Sequence, residues 1–368
     1  MNAHVLSSFL RGLMRPSTPS SLVLFLTDDC NARCPYCFNP EMTHLKGPTR
    51  PKSLRALTLK EYVRIAQNAY PLFQLVLSGG EPFLRSDIDD IVSTFYKNAG
   101  TRLFSIPTNG FLSARIMEKL ASISARCPKA HINLIVSLDA AGKRHDQLRG
   151  VPGGFKKALD LCRALSDKET ALPNVSLVVS TAVTQDNAHD VRSLDETLTR
   201  SLPPGRWLRN VQYDQRLNGA ASCDPAIRKA VRNAERTAKK RPGGFFKNAL
   251  SALYVGRPNE LILRQLDENR MLYRCVAGRK LAVVLPDGRT YPCEPFAFEA
   301  HYASSSSLNL RDFDLDLMKL LETPEFVERQ TYIRKGKCRA CPWSCSAVAS
   351  MTYDWRNWPL WFSGKRGG

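Results

Sequence analysis

Three cysteines lie close together in the segment DDCNARCPYCFNP (residues 28–40), at Cys30, Cys34 and Cys37. Thiolates are suitable ligands for iron–sulfur clusters and for zinc. Pro35 disfavours helical geometry at Cys34, so the segment is predicted to be a loop that wraps around a metal centre. Structural metal sites usually have four protein ligands, and this segment supplies three, so its fourth position has to be explained.

Zinc is the alternative at this segment. His44 lies seven residues after Cys37, so a zinc knuckle with three cysteines and one histidine can be drawn. Such a site accounts for four residues and leaves the motifs described below unexplained.

A second group of five cysteines lies near the C-terminus, at Cys275, Cys293, Cys338, Cys341 and Cys345. Disulfide frameworks belong mainly to small secreted domains, and this 368-residue chain shows no secretory signal. These thiols are therefore predicted to be metal ligands, in an iron–sulfur site or a zinc ribbon. The scattered cysteines, which are predicted to be small buried hydrophobic residues, are Cys127, Cys162 and Cys223.

Short β-rich runs alternate with segments of helical spacing in the first 215 residues. The runs are 22–26, 73–77, 103–107, 132–138, 175–183 and 207–213. Strands separated by helix-length crossovers form a parallel sheet. We therefore predict an α/β fold with a partial (βα)6 TIM-like barrel, whose chemistry lies just after the C-terminal strand ends. The three-cysteine segment directly follows the first run.

The motif SGGEP follows the second run, about 40 residues after the cysteines. Gly79 and Gly80 permit a close backbone approach, and Glu81 offers a negative charge that suits an ammonium group. Its position at a strand end makes this motif stronger evidence for a binding site than a Gly-Gly-Glu turn alone.

Three further polar motifs follow the third and fourth runs. TNG contains Asn109, SLD contains Ser137, and HDQLRG contains His145 and Arg149. The guanidinium fork of Arg149 is suited to binding a carboxylate with two hydrogen bonds. Plain alternatives are a turn residue for Asn109 and a helix cap for His145.

In order and spacing, these motifs resemble those of the radical S-adenosylmethionine (SAM) enzymes over about residues 20–215. The resemblance implies that Cys30, Cys34 and Cys37 hold a [4Fe–4S] cluster whose open iron binds SAM. It also implies cleavage of SAM to a 5′-deoxyadenosyl radical, which removes a hydrogen atom from the substrate. The implied SAM-binding residues are Tyr36 before the third cysteine, Gly79, Gly80 and Glu81 at the amino group, Asn109, Ser137 at the ribose, and Arg149 at the carboxylate.

The second cysteine group resembles the C-terminal SPASM or twitch extension of the same enzymes. Two fully cysteine-ligated clusters need eight thiolates and five are present, so one auxiliary [4Fe–4S] cluster is expected. By analogy its ligands are Cys275, Cys293, Cys338 and Cys341, with Cys345 as a fifth thiol that replaces one of them or stays free. The resemblance implies a general base at Glu294, and a surface carboxylate is the alternative.

The chain is divided by these patterns into four parts. They are an N-terminal amphipathic segment (1–20), the core barrel (21–215), a basic helical connector (216–272) and the auxiliary domain (273–368). The connector helix is predicted to begin at Pro225 and to carry a basic face that includes Arg228 and Arg232. In the auxiliary domain, Asp287-Gly288 predicts a hairpin with a two-residue turn, in which Cys293 lies opposite Ala282.

The substrate and partners are less constrained. A net charge of +19 favours anionic partners, including a flavodoxin- or ferredoxin-type electron donor. The substrate is expected to be a small, sugar-like or lipid-linked molecule that undergoes oxidation or rearrangement. Alternatives are ribosomal-peptide maturation with a separate leader-binding protein, RNA modification, and non-catalytic metal binding. No RNA-binding module is recognisable, so nucleic acid is not an expected partner. A cytoplasmic location is expected, and the tryptophan-rich tail raises peripheral membrane contact as a further hypothesis.

Overall fold

The computed structural model describes residues 10, 14, 18–39, 55–69, 71–167, 172–213, 225–239, 257–298, 308–338 and 340–362. The strands are β1 (Ser21–Phe25), β2 (Gln74–Ser78), β3 (Leu103–Thr108), β4 (His131–Ser137), β5 (Val175–Val183), β6 (Trp207–Tyr213), β7 (Leu281–Val284), β8 (Arg289–Tyr291) and β9 (Leu308–Asn309). The helices are α1 (Leu59–Asn68), α2 (Ile88–Asn98), α3 (Ser113–Arg126), α4 (Lys143–Arg149), α5 (Gly154–Ser166), α6 (Val191–Ser201), α7 (Pro225–Lys239), α8 (Arg257–Asp267), α9 (Glu294–Phe298), α10 (Leu317–Leu321), α11 (Pro324–Arg334), α12 (Ser344–Tyr353) and α13 (Pro359–Phe362).

The strands form a sheet in the order β6-β5-β4-β3-β2-β1-β7-β8-β9. Neighbouring strands from β1 to β6 pair in parallel, and helices occupy the crossovers between them. The predicted α/β fold with a partial barrel is confirmed: the sheet is parallel through its first six strands and does not close on itself. Each predicted strand lies within one or two residues of its observed bounds.

The two faces of the parallel sheet differ in what covers them. On the outer face, residues such as Leu22, Leu75 and Phe104 are fully buried in the main hydrophobic core beneath the crossover helices. On the inner face of β2 to β6, most side chains are only half-buried. The helical layer therefore stabilises the sheet from one side and leaves the inner face available.

The C-terminal region continues the same sheet. β7 pairs in parallel with β1, from Ser21 opposite Leu281 to Leu24 opposite Val284. β8 and β9 then add antiparallel pairs. The cysteine-rich region is thus joined to the first strand of the core by backbone hydrogen bonds.

The hairpin between β7 and β8 is present, but its predicted turn and register are wrong. Val283 lies opposite Tyr291, and this register, continued, brings Cys293 opposite Leu281 instead of Ala282. The Gly288 amide donates to the Leu285 carbonyl at 2.9 Å, so the connection is longer than a two-residue turn. Gly288 has φ +91°, and a Cβ there would lie 2.6 Å from Asn309 Oδ1. The positive φ and the close contact explain the glycine.

The connector helix begins at Pro225, as predicted. Its apolar side, with Ile227 and Val231, packs into a core shared with Val211 of β6. Arg228 of the basic face forms an ion pair with Asp267 of α8, and Arg232 is exposed.

Some expectations fall on residues outside the described ranges, namely His44, Cys223 and most of residues 1–17. Cys127 and Cys162 are fully buried, as predicted for small hydrophobic residues. None of the helices within the described residues has the length and apolar character needed to cross a bilayer.

Candidate active site

The loop after β1 carries three half-buried thiols, Cys30, Cys34 and Cys37. The Cys37 amide donates to the Cys34 carbonyl at 3.2 Å, which closes a turn, and the Ala32 amide donates to Cys30 Sγ at 3.4 Å. Burial raises the pKa of Cys30 to about 11, and the neighbouring thiols Cys34 and Cys37 add to the shift. Three thiols that interact electrostatically on one loop fit the donor set of an iron–sulfur cluster, whose positive irons stabilise the thiolate form.

The two glycines of SGGEP fasten this loop to the end of β2. The Gly80 amide donates to the Thr27 carbonyl and the Glu81 amide to the Asp29 carbonyl, both at 2.7 Å. A Cβ on Gly80 would lie 2.1 Å from the Asp29 oxygen, and one on Gly79 would lie 2.5 Å from the Thr27 oxygen. Only glycine permits this approach, so the motif holds the cysteine loop in place.

Glu81 is buried, with 1% of its surface exposed, and it joins the ends of β2 and β3. Its carboxylate accepts hydrogen bonds from Thr108 Oγ1 and the Asn109 amide, each at 2.8 Å, and from the Phe83 amide at 3.2 Å. Burial raises the pKa of Glu81 to about 7 and outweighs these donors, which lower it. The carboxylate therefore has a structural role, and its contact with the SAM amino group stays a prediction.

Asn109 combines the two roles considered for it. Its Oδ1 accepts a hydrogen bond from the Phe111 amide at 3.0 Å, which makes it a turn residue. Its Nδ2 donates to Oδ1 of Asn31 in the cysteine loop at 2.6 Å. The TNG motif thus fastens the loop to the end of β3.

Asp139, which the sequence analysis did not single out, is the buried centre of the site. It is completely buried and accepts hydrogen bonds from the Tyr36 hydroxyl at 2.5 Å and from Arg149 Nε at 2.6 Å. Burial alone raises its pKa, but Arg149 and its other partners reverse the shift, so the pKa of Asp139 is lowered. An acidic residue at a strand end was the available signal.

His145 supports this arrangement from within α4 and is not a helix cap. Its Nδ1 accepts a hydrogen bond from the Asp139 amide at 3.2 Å, and its ring packs edge-on against Phe111 and Phe155. Burial lowers the pKa of His145 to about 4, which keeps the imidazole neutral. It is fully buried, so its role is to position Asp139.

The inner face of β2 to β6 carries two rows of hydroxyl and amide side chains and, among the described residues, no Lys, Arg, Asp or Glu. Ser137 at the end of β4 lies in register with Ser180 of β5, which lies in register with Asn210 of β6. Asn210 Nδ2 donates to Ser180 Oγ at 3.1 Å. An apolar row lies below it, and in the next row Ser105 of β3 lies in register with Asn133 of β4. This face can hydrogen-bond a neutral ligand through hydroxyl and amide groups.

The second cysteine group also comes together. The thiol of Cys345 interacts electrostatically with Cys341, Cys293 and Glu294. The thiol of Cys293 interacts in the same way with Cys275 and Cys341. Burial raises the pKa of Cys275 and Cys293, so these thiols are poor nucleophiles unless a metal stabilises their thiolates. Gly278, at φ +80°, donates to the Pro292 carbonyl at 3.1 Å, which brings the chain after Cys275 back toward Cys293.

Within the described residues, no group of three or more His, Cys, Asp and Glu side chains is arranged to hold a single metal ion. An iron–sulfur cluster differs in that each thiolate binds a separate iron atom. Cys338 packs against the apolar cluster that also contacts Cys275 and contains Cys293, and its role as a ligand stays a prediction.

Glu294 is buried with 4% of its surface exposed, so the surface-carboxylate alternative is wrong. Its side chain is hydrogen-bonded to Cys345, and burial raises its pKa. Its Oε2 finds no hydrogen-bond partner in the described part of the chain. A buried carboxylate with an unsatisfied oxygen is a candidate contact for a bound group.

Comparisons with known proteins are consistent with this arrangement. Residues 24–198 match the model of the Radical SAM superfamily. The chain is 23% identical over 370 residues to AdoMet-dependent heme synthase of Methanosarcina barkeri, covering 92% of this chain and 93% of that protein. It is 27% identical over 261 residues to human Molybdenum cofactor biosynthesis protein 1, but it spans only 39% of that protein.

Solved structures share the fold. Streptococcus suis SuiB bound to S-adenosylmethionine superposes with a TM-score of 0.59 at 17% identity, covering 88% of this chain and 70% of that one. SuiB bound to its precursor peptide SuiA gives a TM-score of 0.58 at 18% identity. These values extend the likeness over most of the chain, including the cysteine-rich C-terminal region.

Proposed function

Since the chain belongs to the radical SAM superfamily over residues 24–198, we propose that it abstracts a hydrogen atom from a neutral, hydrogen-bonding small molecule held on the inner face of the sheet. Its cofactors are a [4Fe–4S] cluster and SAM, which when bound supply the electron and the 5′-deoxyadenosyl radical. The observation that carries the proposal is the attachment of the three-thiol loop to the ends of β2, β3 and β4.

The residues of the chain hold and orient these groups. Cys30, Cys34 and Cys37 would bind three irons of the cluster. Hydrogen bonds from Gly80 and Asn109 hold their loop in position. Tyr36 and Ser137 remain our candidates for SAM contacts. Preorganisation of this kind is the protein's contribution to a reaction whose chemistry belongs to its cofactors.

The side chains of the inner face support the proposed substrate class. The described inner-facing residues of β2 to β6 include serines and asparagines, and none is Lys, Arg, Asp or Glu. A phosphorylated substrate would require cations, whereas hydroxyl and amide groups suit a sugar-like molecule or the polar part of a lipid-linked one. Oxidation or rearrangement of such a molecule is our proposal for the reaction.

The full chain, purified without oxygen and reconstituted with iron and sulfide, tests this function. We expect 5′-deoxyadenosine when SAM and dithionite are added, and deuterium transfer into it from the true substrate among labelled candidates. Failure to form 5′-deoxyadenosine with intact clusters would refute SAM cleavage. Transfer only from phosphorylated candidates would refute the neutral substrate class.

Peptide maturation is the second candidate. Hydroxyl and amide side chains also suit a peptide backbone, and SuiB, which has been solved with its precursor peptide, shares the fold. Deuterium transfer from a labelled peptide, and not from sugar-like candidates, would favour this alternative.

We propose that Cys275, Cys293 and Cys341 hold the auxiliary cluster together with a fourth thiol, which is Cys338, as the resemblance implies, or Cys345, which interacts with Cys341, Cys293 and Glu294. We expect alanine at the fourth ligand to lower iron from about eight to about four atoms per chain, whereas alanine at the other position keeps about eight. Iron and sulfide analysis of Cys338→Ala and Cys345→Ala with Mössbauer spectroscopy measures this. About eight iron atoms in both variants would contradict a ligand role for either thiol.

We propose that Glu294 takes a proton from the substrate, since its buried carboxylate has a raised pKa and an unsatisfied oxygen. Glu294→Gln keeps the size of the side chain and removes its basicity. Product formation should fall by about 100-fold or more, while 5′-deoxyadenosine still forms. Unchanged turnover would discard this role, and Glu260→Gln on α8 is the control.

We propose that the electron donor is an acidic flavodoxin- or ferredoxin-type protein, since the chain carries a net charge of +19. Reductive iron–sulfur chemistry also fits a cytoplasmic location. Peripheral membrane contact is supported by Trp355 and Trp358, which are 66% and 44% exposed. Sedimentation with anionic vesicles tests this contact, and absence of binding would exclude it.

A further inference from the structure

The guanidinium of Arg149 lies between the cysteine loop and Asp139. Its Nε and Nη2 atoms contact Asp139 Oδ2 at 2.6 and 2.5 Å, and its Nη1 donates to Cys34 Sγ at 3.7 Å. Only 13% of the side chain is exposed. The Nε–Nη2 edge of the guanidinium is therefore already occupied by a carboxylate of the protein.

Hydrogen bonds hold Asp139 in place, and Asp139 in turn positions the guanidinium of Arg149. One of its oxygens accepts from the Tyr36 hydroxyl at 2.5 Å, and the other accepts from the Ala182 amide at 2.9 Å. The Asp139 carbonyl accepts from Asn187 Nδ2 at 3.1 Å. Because every polar group of this residue is satisfied, Asp139 cannot release Arg149 without leaving a buried charge unpaired.

The backbone at Arg149 is fastened to the same loop. The Arg33 amide donates to the Arg149 carbonyl at 2.8 Å. Gly150 ends α4 at φ +64°, and a Cβ there would lie 3.0 Å from Arg33 Cβ. The end of α4 is thus docked on the cysteine loop, so its position relative to Cys34 is set before any ligand binds.

A buried cation that donates an N–H group to a thiolate stabilises the more negative state of the sulfur and of any cluster bound to it. Hydrogen bonds to cluster sulfurs are among the features that set iron–sulfur reduction potentials. Asp139 lies behind the guanidinium, and its charge is partly offset by Tyr36. The charged group that directly contacts Cys34 Sγ is therefore the Arg149 cation.

We propose that Arg149 is a positioning residue whose guanidinium, held by Asp139, stabilises the thiolate of Cys34 and thereby raises the reduction potential of the cluster. This inference rests on the proposed function. It is separate from the role in SAM carboxylate binding that the sequence resemblance implies, because it depends on the contact of Nη1 with Cys34 Sγ.

The test is a redox titration of the reconstituted full chain, in which electron paramagnetic resonance measures the reduced clusters. The signal of the N-terminal cluster is recognised because it changes when SAM is added. In Arg149→Gln we expect that potential to become more negative, and SAM cleavage at a fixed reductant to fall by about 10- to 100-fold. Arg149→Lys keeps the charge without the fork and should shift the potential in the same direction by less.

Arg144→Gln is the matched control, because Arg144 lies on the same helix but forms its ion pair with Asp190, away from the thiols. An unchanged potential in both Arg149 variants would overturn the inference, whether or not SAM binding weakens. Failure of the proposed function would look different, since the unmodified protein would then form no 5′-deoxyadenosine. The potential can be measured in either case.

Discussion

Replacing Cys34 by alanine is expected to abolish SAM cleavage. The chain offers three thiols on the loop after β1, so removing one leaves two anchors for a cluster that needs three. Cys34 also receives the N–H group of Arg149, so its loss would leave a buried cation facing an empty position. Iron should fall from about eight to about four atoms per chain, and 5′-deoxyadenosine should fall to background.

Cys162→Ala provides the control for this prediction. Cys162 is a fully buried thiol on α5 that packs in the main core. Its loss should cost about 1 kcal/mol or less of stability and leave iron and SAM cleavage unchanged. If Cys34→Ala retained a cluster that cleaves SAM, the assignment of the loop would be wrong.

The second large effect is expected from Gly80→Ala. The added Cβ would lie 2.1 Å from the carbonyl oxygen of Asp29 and 2.5 Å from its carbonyl carbon. These are backbone atoms and cannot rotate away, so the cysteine loop must move. We expect the free energy of unfolding to fall by about 3 kcal/mol and the iron bound at the N-terminal thiols to be lost.

Urea unfolding of the apoprotein and iron analysis of the reconstituted protein measure these two effects. Gly100→Ala is the control, since a Cβ at Gly100 meets nothing within 4 Å and only its φ of +65° opposes alanine. That strain costs about 1 kcal/mol and lies far from the thiols. Equal losses in the two variants would contradict a specific role for the contact at Gly80.

Much of the fold could be predicted because the information is local. The runs at 22–26 and 132–138 alternate with helical spacing, and a right-handed parallel crossover leaves few topologies. The cysteine loop could be placed because it directly follows a strand. The same logic located SGGEP and SLD, whose positions at neighbouring strand ends bring them together in space.

The contacts that organise the site could not be predicted in this way. Glu81 accepts from Thr108 and Asn109, and Asp139 accepts from Tyr36, which is 103 positions earlier in the chain. Such partners depend on how strand ends are oriented after folding, which no spacing encodes. As a result, the sequence alone predicts neither the contacts of Glu81 with β3 nor the central position of Asp139.

The hairpin turn differs from the predicted two-residue turn for a related reason. Asp287-Gly288 favours a two-residue turn when considered alone, but Asn309 of β9 packs against Gly288 and donates to the Asp287 carbonyl at 2.9 Å. Tertiary contact therefore selected the longer connection. Nor could the local pattern show that β7 pairs with β1, because parallel partners so distant in sequence carry no mutual signal.

The pairing of β1 with β7 affects how the protein is made. A ribosome releases β1 (Ser21–Phe25) long before β7 (Leu281–Val284), although the two strands are neighbours in the sheet. Until then one side of β1 has unpaired amides and carbonyls, which invites association with other nascent chains. Chaperones that shield this open edge during translation should therefore raise the yield of native protein, and transcripts truncated before residue 281 should give insoluble product.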